Sequence, residues 1–402
     1  MLILQILAIV AALTLIGVVL RDGFETVVLP RRVPRRFRLT RLYFIGTWSA
    51  VSALARRIRS LQQREALLAV YGPLALILLL ILWVGLLIFA FALLQWGLGS
   101  QMRMADGASG FGVDLYFSGT TFLTLGLGDV SPLTPVARAI TVVEVGAGFG
   151  VLALVIGYLP VLYQTFSRRE ARISLLDAHA GSPPTACALL QRHPPDRRAA
   201  SLRVTLAEWE TWAADLLESH LSYPMLAYYR SQHEEQSWVA ALTMIMDTCA
   251  LIIACNRCTP LDEALVEQAT YTFAMARHAA ADLAQVFQPA ERAAMKHLLT
   301  ASRLPTDDHQ RLCDALQGAG MMRSGIETTD PSFGKFMREL EALRQLYEPY
   351  LAGLATYFLM ELPHFVPSPG ALDDWQTTAD DVTAPAITAL IARNRSRANL
   401  PD

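Results

Sequence analysis

Three long uncharged runs occupy much of the first 167 residues and limit what the chain can fold into. They cover residues 1–20, 66–102 and 139–166, and the third is interrupted only by Glu144. A helix of about 20 apolar residues is long enough to cross the hydrocarbon core of a bilayer. The sequence therefore predicts three membrane-spanning helices, followed by a region of ordinary soluble composition.

The first run could instead be a cleaved signal peptide. However, no basic segment precedes it, no clear small-residue cleavage site follows it, and arginines come after the run rather than before it. We therefore expect a retained membrane helix.

Arginines predict the orientation of the spans. Only Arg103 and Arg138 lie between the second and third runs, and three arginines closely follow the third. The stretch between the first two runs is much richer: Arg31, Arg32, Arg35, Arg36, Arg38, Arg41, Arg56, Arg57, Arg59 and Arg64. Positive charge favours the cytoplasmic side, so we expect an external N-terminus and a cytoplasmic C-terminal region. Residues 40–65 could form an amphipathic helix on the inner leaflet, or their arginines could serve topology alone.

A glycine-containing hexapeptide, T-L-G-L-G-D at residues 124–129, lies between the second and third runs. The uncharged stretch 115–124 before it is too short to cross the bilayer, and it is predicted to be a re-entrant helix. Gly126 and Gly128 permit the positive φ angles that let successive carbonyls point the same way. Stacked carbonyl oxygens can replace the hydration shell of a monovalent cation. Irregular backbone at membrane depth is tolerated where it lines such a path.

Residues 114–163 resemble the pore domain of the two-transmembrane potassium channels. The likeness is carried by an ordered set of residues: Ser118, Thr121, Thr124, Gly126, Gly128, Asp129, Pro132, Arg138 and Gly148. It implies an all-α membrane fold with an outer helix, a pore helix, a filter and an inner helix. It also implies a filter formed by Thr124, Leu125, Gly126, Leu127 and Gly128. Asp129 takes the place of the outer-mouth aspartate.

Two residues depart from that family's pattern. Leu127 replaces the usual tyrosine, which removes a phenol that braces the filter, and Thr120 replaces a carboxylate found behind the filter in some members. These changes could loosen the filter and weaken its discrimination against sodium, a hypothesis that a near-Nernst potassium slope would disprove. Tyr116 is predicted to support the filter by donating a hydrogen bond to Asp129. The alternative is an aromatic side chain that contacts lipid.

The predicted inner helix carries one acid and a group of glycines. Glu144 either braces the filter or Thr120 through hydrogen bonds, or faces the cavity and concentrates cations; we favour bracing. Gly146, Gly148 and Gly150 either form a hinge for gating or allow close helix packing, and both interpretations remain open.

The chain divides by composition into six predicted segments. They are an N-terminal transmembrane helix at 1–29, a basic segment at 30–65, a pore domain at 66–167, a linker at 168–200, a helical cytoplasmic domain at 201–362 and a loose tail at 363–402. The apolar stretch 240–255 is short and contains Asp247, so it is predicted to be a buried core helix rather than a fourth span.

Five cysteines follow the last run, and an odd number there favours reduced thiols. Cys255 and Cys258 form a C-x-x-C pair that could bind a metal, but a single pair is weak support, and buried, inert thiols are the better interpretation. We expect no cofactor or metal beyond a permeant K⁺. The net charge of −2 indicates no nucleic-acid partner.

One pore loop cannot surround an ion, so four copies of the chain are required. The sequence therefore predicts a homotetrameric potassium channel in a bacterial plasma membrane, not an enzyme. A weakly selective monovalent cation channel is the first alternative. The second is a non-conducting membrane protein whose pore fold supports a helical signalling or scaffolding domain.

Overall fold

The computed structural model is mostly helical and describes residues 2–29, 38–104, 107, 109–181, 184–193, 197–231, 236–287 and 303–368. Two compact units are present. Unit 1 consists of Met1–Thr165 and Ser222–Tyr229, and unit 2 consists of Phe166–Leu221 and Arg230–Asp402. The predicted all-α fold is confirmed, although several helices begin or end at residues other than those predicted.

Unit 1 contains the long apolar helices. In chain order they are α1 (Leu2–Gly23, continued by a π-helical turn at Phe24–Val28), α2 (Leu39–Ala55), α3 (Leu61–Gly97), α4 (Phe111–Phe122) and α5 (Pro135–Ala180), whose last part belongs to unit 2. Two short antiparallel strands, β1 (Met102–Met104) and β2 (Val130–Pro132), pair with Arg103 opposite Ser131. Helices α1, α3 and α5 include the three predicted spans and are long and apolar enough to cross a membrane.

A buried acid at the end of α1 fixes the start of α2. Asp22 is only 4% exposed, and its Oδ2 atom accepts hydrogen bonds from the Thr40 backbone N–H at 3.0 Å and from the Trp83 indole N–H at 3.1 Å. The Thr40 hydroxyl also donates to it. A buried carboxylate needs such donors, and the first N–H groups of a helix lack partners within it. Asp22 therefore joins α1, α2 and α3.

Of the predicted basic segment, residues 30–37 lie outside the described residues.

The predicted pore helix is present as α4, which packs against α3. It covers Phe111–Phe122 rather than residues 115–124, so it begins and ends earlier than expected. Gly110 has φ of 113°, which other residues rarely adopt, and the helix begins directly after it. The prediction began too late because Asp114 was excluded from an uncharged stretch, whereas its side chain lies buried in the first turn.

Unit 2 is a helical assembly around one apolar helix. Its helices are α6 (Ala186–Arg192), α7 (Arg198–Ser222, whose last residue belongs to unit 1), α8 (Trp238–Asn256), α9 (Glu263–Phe287), α10 (His309–Gly318), α11 (Pro331–Arg344) and α12 (Glu348–Phe358). Helix α8 is also long and apolar enough to span a membrane, but 94% of its most apolar window is buried inside the protein. It packs against α6, α9, α11 and α12. We therefore describe α8 as a core helix.

A charged network lies in the core of unit 2. Asp247 of α8 is fully buried, pairs with the Arg303 guanidinium, and accepts a hydrogen bond from the Tyr347 hydroxyl at 2.5 Å. Arg344 donates to both carboxylate oxygens of Glu348, at 2.9 and 3.1 Å. Burial raises the pKa of Asp247 to about 7, even though Arg303 lowers it.

Two predicted segments of the C-terminal region are wrong. Residues 168–200 are not a linker, because α5 continues to Ala180 and α6 contributes buried side chains to unit 2. The loose tail does not begin at residue 363: Phe365 is fully buried, and its carbonyl accepts the Cys187 N–H at 3.1 Å. Proline and polar residues favour loose segments, whereas apolar side chains are buried in the described parts of both. Residues 369–402 lie outside the described residues.

Candidate ion-conduction site

The chain reverses direction at the end of α4 through main-chain hydrogen bonds. The carbonyl of Thr120 accepts the N–H of Leu125 at 2.8 Å and that of Gly126 at 3.3 Å. The Thr124 N–H donates to the Thr121 carbonyl at 3.0 Å. The start of the predicted filter is therefore fixed to the last turn of the pore helix. The C-terminal end of that helix carries a partial negative charge, which favours a cation nearby.

The backbone of the predicted filter alternates in handedness. Thr124, Gly126 and Gly128 have positive φ angles of 57°, 56° and 79°, whereas Leu125 and Leu127 do not. Alternation between left-handed and other conformations turns successive carbonyls toward one side of the chain. The two glycines adopt these angles without steric cost, but Thr124 is a β-branched residue in a disfavoured conformation. A strained residue at such a position is typical of a functional site.

The leucine side chains of the predicted filter are exposed. Leu125 is 60% exposed and Leu127 is 63% exposed. A Cβ atom added at Gly126 or Gly128 would meet nothing within 4 Å among the described residues. One copy of the chain therefore leaves this loop open on both faces.

Tyr116 and Asp129 connect the pore helix to the outer end of the filter. The Tyr116 hydroxyl donates to Asp129 Oδ2 at 2.8 Å, so the predicted hydrogen bond is present. Asp129 Oδ1 also accepts the Val130 N–H at 3.1 Å. The carboxylate thus joins the end of the filter to the first residue of β2.

Glu144 faces the pore helix rather than Thr120. It is fully buried, and its Oε1 atom is hydrogen-bonded to the Ser118 hydroxyl. The same hydroxyl lies 2.8 Å from the carbonyl oxygen of Ile88 in α3. The Ser118 hydroxyl is the donor in both contacts and so connects Glu144 of α5 to Ile88 of α3. Its Oε2 atom has no hydrogen-bond partner in the described part of the chain.

Thr120 supports the filter through its main chain. Its hydroxyl donates to the Phe117 carbonyl at 3.0 Å, whereas its own carbonyl receives the two filter N–H groups. The prediction that Glu144 braces Thr120 is therefore wrong, although bracing of the pore helix through Ser118 fits the geometry. Sequence reasoning missed the Thr120 carbonyl because every residue has one, so no residue type marks this contact.

The three glycines of α5 have different surroundings. A Cβ atom at Gly148 would lie 2.1 Å from the carbonyl oxygen of Phe122, whereas none at Gly146 or Gly150 would meet an atom within 4 Å among the described residues. Helix α5 is continuous across all three. The geometry therefore supports the close-packing interpretation for Gly148. A hinge at Gly146 or Gly150 stays a prediction.

Residues 76–164 match the model of a family described as "Ion channel". This range contains most of α3, all of α4, the loop with the predicted filter and the first part of α5. The segment is similar to that ion-channel family. The resemblance inferred from sequence is confirmed at this level, and the match supports a cation channel in a membrane and a transport rather than an enzymatic role. No curated protein and no solved structure gave a significant match to the chain.

The C-x-x-C pair lies in unit 2, far along the chain from the pore domain. Cys255 is fully buried, and burial raises its pKa well above the usual value, so its thiol is the inert kind. Cys258 donates to the Ser332 carbonyl at 3.1 Å. Among the described residues, no group of three or more His, Cys, Asp or Glu side chains could hold a metal ion.

Proposed function

We propose that four copies of this chain form a potassium-selective channel whose filter is built from the main-chain carbonyls of residues 124–128. The observation that carries this proposal is the alternation of positive φ at Thr124, Gly126 and Gly128. Carbonyl oxygens arranged along one side of a loop supply the ligands that K⁺ requires once it has lost its water.

The exposed apolar surface of the pore domain supports assembly from several copies. Val142, Val143 and Phe149 of α5 are 72%, 64% and 66% exposed, and they lie near the open filter loop in the chain. A loop with ligands on one side coordinates an ion from one side only. Fourfold symmetry supplies the remaining ligands, and contact between copies covers part of this surface.

The proposed location is a bacterial plasma membrane, with the N-terminus outside and unit 2 in the cytoplasm. The arginine distribution supports this orientation, because arginines are concentrated in residues 31–64 and directly after the third apolar run. The permeant K⁺ is the transported species, and no cofactor or nucleic-acid partner is proposed.

Flux of K⁺ and Na⁺ through purified full-length protein in liposomes tests the proposal. We expect potassium uptake to exceed sodium uptake at least about tenfold. Gly126→Val is the informative variant, because a β-branched residue is strongly disfavoured at positive φ. Gly126→Val should abolish flux, while Gly85→Val, at an open position on α3, serves as the control. Equal flux through wild-type and Gly126→Val protein would contradict the proposal.

A weakly selective cation channel is the second candidate. The observation that favours it is Leu127, whose exposed side chain provides no hydroxyl to hold the filter at a fixed diameter. Leu127→Tyr distinguishes the two. If the wild-type filter is loose, this variant should raise the K⁺/Na⁺ permeability ratio severalfold, and if it is already selective, the ratio should change little. A non-conducting scaffold would pass neither ion.

A further inference from the structure

A short segment between α7 and α8 packs inside unit 1, although the chain on both sides of it belongs to unit 2. This segment, Ser222–Tyr229, is here named the arm, and it contains a 3₁₀ turn at Pro224–Tyr228. The side chains of Met225, Leu226 and Tyr228 are buried. The arm is therefore a packed element of unit 1 rather than an exposed loop.

The arm contacts α5 at a weak point in that helix. The buried Tyr158 hydroxyl donates to the Met225 sulfur, and the Tyr158 ring meets the Tyr223 ring in an edge-on contact at 5.6 Å. Pro160 lies inside the helix two residues later. Because proline has no N–H, the carbonyl of Ile156 lacks its helical partner, and the helix bends more easily at this turn. The arm holds α5 where it resists bending least.

The arm contacts α3 at a second proline. A Cβ atom at Gly72 would lie 2.8 Å from the Tyr229 ring and 3.1 Å from the Tyr228 carbonyl oxygen, so only glycine allows this approach. Pro73 follows directly within α3. The Tyr228 ring also stacks on Phe44 of α2 at 5.3 Å, with 13° between the ring planes. These contacts hold the arm against α2 and α3. Met225 and Tyr223 of the arm contact α5 at the same time.

Helical structure or hydrogen bonds restrain the chain at both ends of the arm. Helix α7 runs without a break into Ser222. Directly after Tyr229, the Arg230 guanidinium donates to the carbonyls of Phe358 and Leu359 in unit 2, at 2.6 and 3.1 Å. A rearrangement of α7 or α12 therefore pulls on residues that contact Tyr158.

We propose that the arm couples unit 2 to conduction: a change of state in unit 2 moves the arm, and the arm sets the angle of α5 at Pro160 and thereby the open probability of the pore. This inference rests on the proposed channel function and assigns unit 2 a regulatory role. The filter lies elsewhere on the chain, so its ion selectivity is unaffected.

The first test removes one atom from the contact. Tyr158→Phe deletes the hydroxyl that binds Met225 and keeps the ring, and Tyr163→Phe is the matched control because that side chain is 67% exposed on the same helix. Single-channel recording of the full-length protein should show about a fivefold change in open probability for Tyr158→Phe, with unchanged unitary conductance and reversal potential. Identical open probabilities for both variants, or an altered unitary conductance, would overturn the proposal.

The second test lengthens the chain at one end of the arm without removing a side chain. Four glycines inserted between Ser222 and Tyr223 keep every arm residue but separate the end of α7 from the 3₁₀ turn of the arm. The same insertion after Gly325, in the loop between α10 and α11, is the control. Coupling predicts a changed open probability only for the first insertion. Equal behaviour of the two insertions would show that the arm is a packing element alone.

The third test requires no measurement of ionic current. Arg230→Gln weakens the anchor of Arg230 on the carbonyls of Phe358 and Leu359 within unit 2, and Arg323→Gln, an exposed arginine of the same unit, is the control. Hydrogen exchange should become about fivefold faster for α5 amides near Tyr158 in Arg230→Gln only. Unchanged exchange would overturn the coupling. Absence of ion flux in the wild type would defeat the channel proposal, and this exchange measurement would still decide whether the arm transmits motion.

Discussion

Gly148 of α5 and Phe122 of α4 are in such close contact that no larger residue fits at position 148. A Cβ atom there would approach the Phe122 carbonyl oxygen to 2.1 Å, and the opposing atom is backbone, which cannot rotate away. This contact brings the inner helix directly against the end of the pore helix, two residues before the predicted filter begins at Thr124.

Gly148→Ala should therefore displace the filter. We expect a loss of about 3 kcal/mol in the stability of the assembled protein, at the upper end for an overpacked site, together with loss of conduction. Gly146→Ala and Gly150→Ala, at open positions of the same helix, should be neutral or slightly stabilising because alanine favours helices. Thermal unfolding in detergent measures this difference. Equal melting temperatures for the three variants would contradict the packing interpretation.

Tyr116→Phe should shorten the open lifetime of the filter. It removes only the hydroxyl that donates to Asp129, so the outer end of the filter loses one of its two attachments. Single-channel recordings should show more frequent closures, with little change in unitary conductance. The matched control is Tyr163→Phe. Unaltered closure rates in Tyr116→Phe would mean that this hydrogen bond does not hold the filter.

The variants Glu144→Gln and Glu144→Ala should differ strongly in stability. The amide oxygen of glutamine can accept the Ser118 hydrogen bond in place of the carboxyl oxygen, so the stability of Glu144→Gln should lie within about 1 kcal/mol of the wild type. Alanine removes one of the two hydrogen bonds of Ser118 and opens a cavity, which should cost about 2–4 kcal/mol. Thermal unfolding compares them.

The same pair of variants tests the rival role of Glu144. If Glu144 were an ionised carboxylate that attracts cations in the cavity, glutamine would lower unitary conductance as much as alanine does. Bracing predicts a conductance near that of the wild type for Glu144→Gln.

Asp247 should make the stability of unit 2 depend on pH. Burial raises its folded pKa to about 7, above the ordinary value of about 4, so the folded state keeps a proton that the unfolded chain releases. The stability contribution of this group is therefore largest at low pH and falls as pH rises from about 4 to about 7, after which it levels off.

Asp247→Asn removes that titration. The melting temperature of the variant relative to wild type should rise by a few degrees between pH 5 and pH 8, because only the wild type loses stability over this range. Asp314→Asn, an exposed acid on α10, is the control. A difference that stays constant or falls with pH would contradict a raised pKa for Asp247.

The sequence predicted those features that depend on residue type and spacing. Long apolar runs identified α1, α3 and α5, and the ordered glycines and hydroxyls identified the pore segment. The Tyr116–Asp129 hydrogen bond followed from a family position. Main-chain contacts such as the Thr120 carbonyl to Leu125 could not be predicted, because every residue has the same backbone groups.

Long-range packing explains the remaining errors. Proline and glycine residues predict a linker at residues 168–200, yet Cys187, Leu189 and Leu190 are buried in unit 2. The return of Ser222–Tyr229 to unit 1 has no local signal either. Its partners Tyr158 and Gly72 are 65 or more positions away in the chain, and only the fold brings them together.

The reversal potential of currents through the purified full-length protein, with potassium on one side of the bilayer and sodium on the other, tests the central claim most directly. The account predicts a value close to the potassium equilibrium potential, which shifts with potassium concentration as expected for a selective pore. A reversal potential near zero, or no current from correctly assembled protein, would contradict a filter that selects potassium through the carbonyls of residues 124–128.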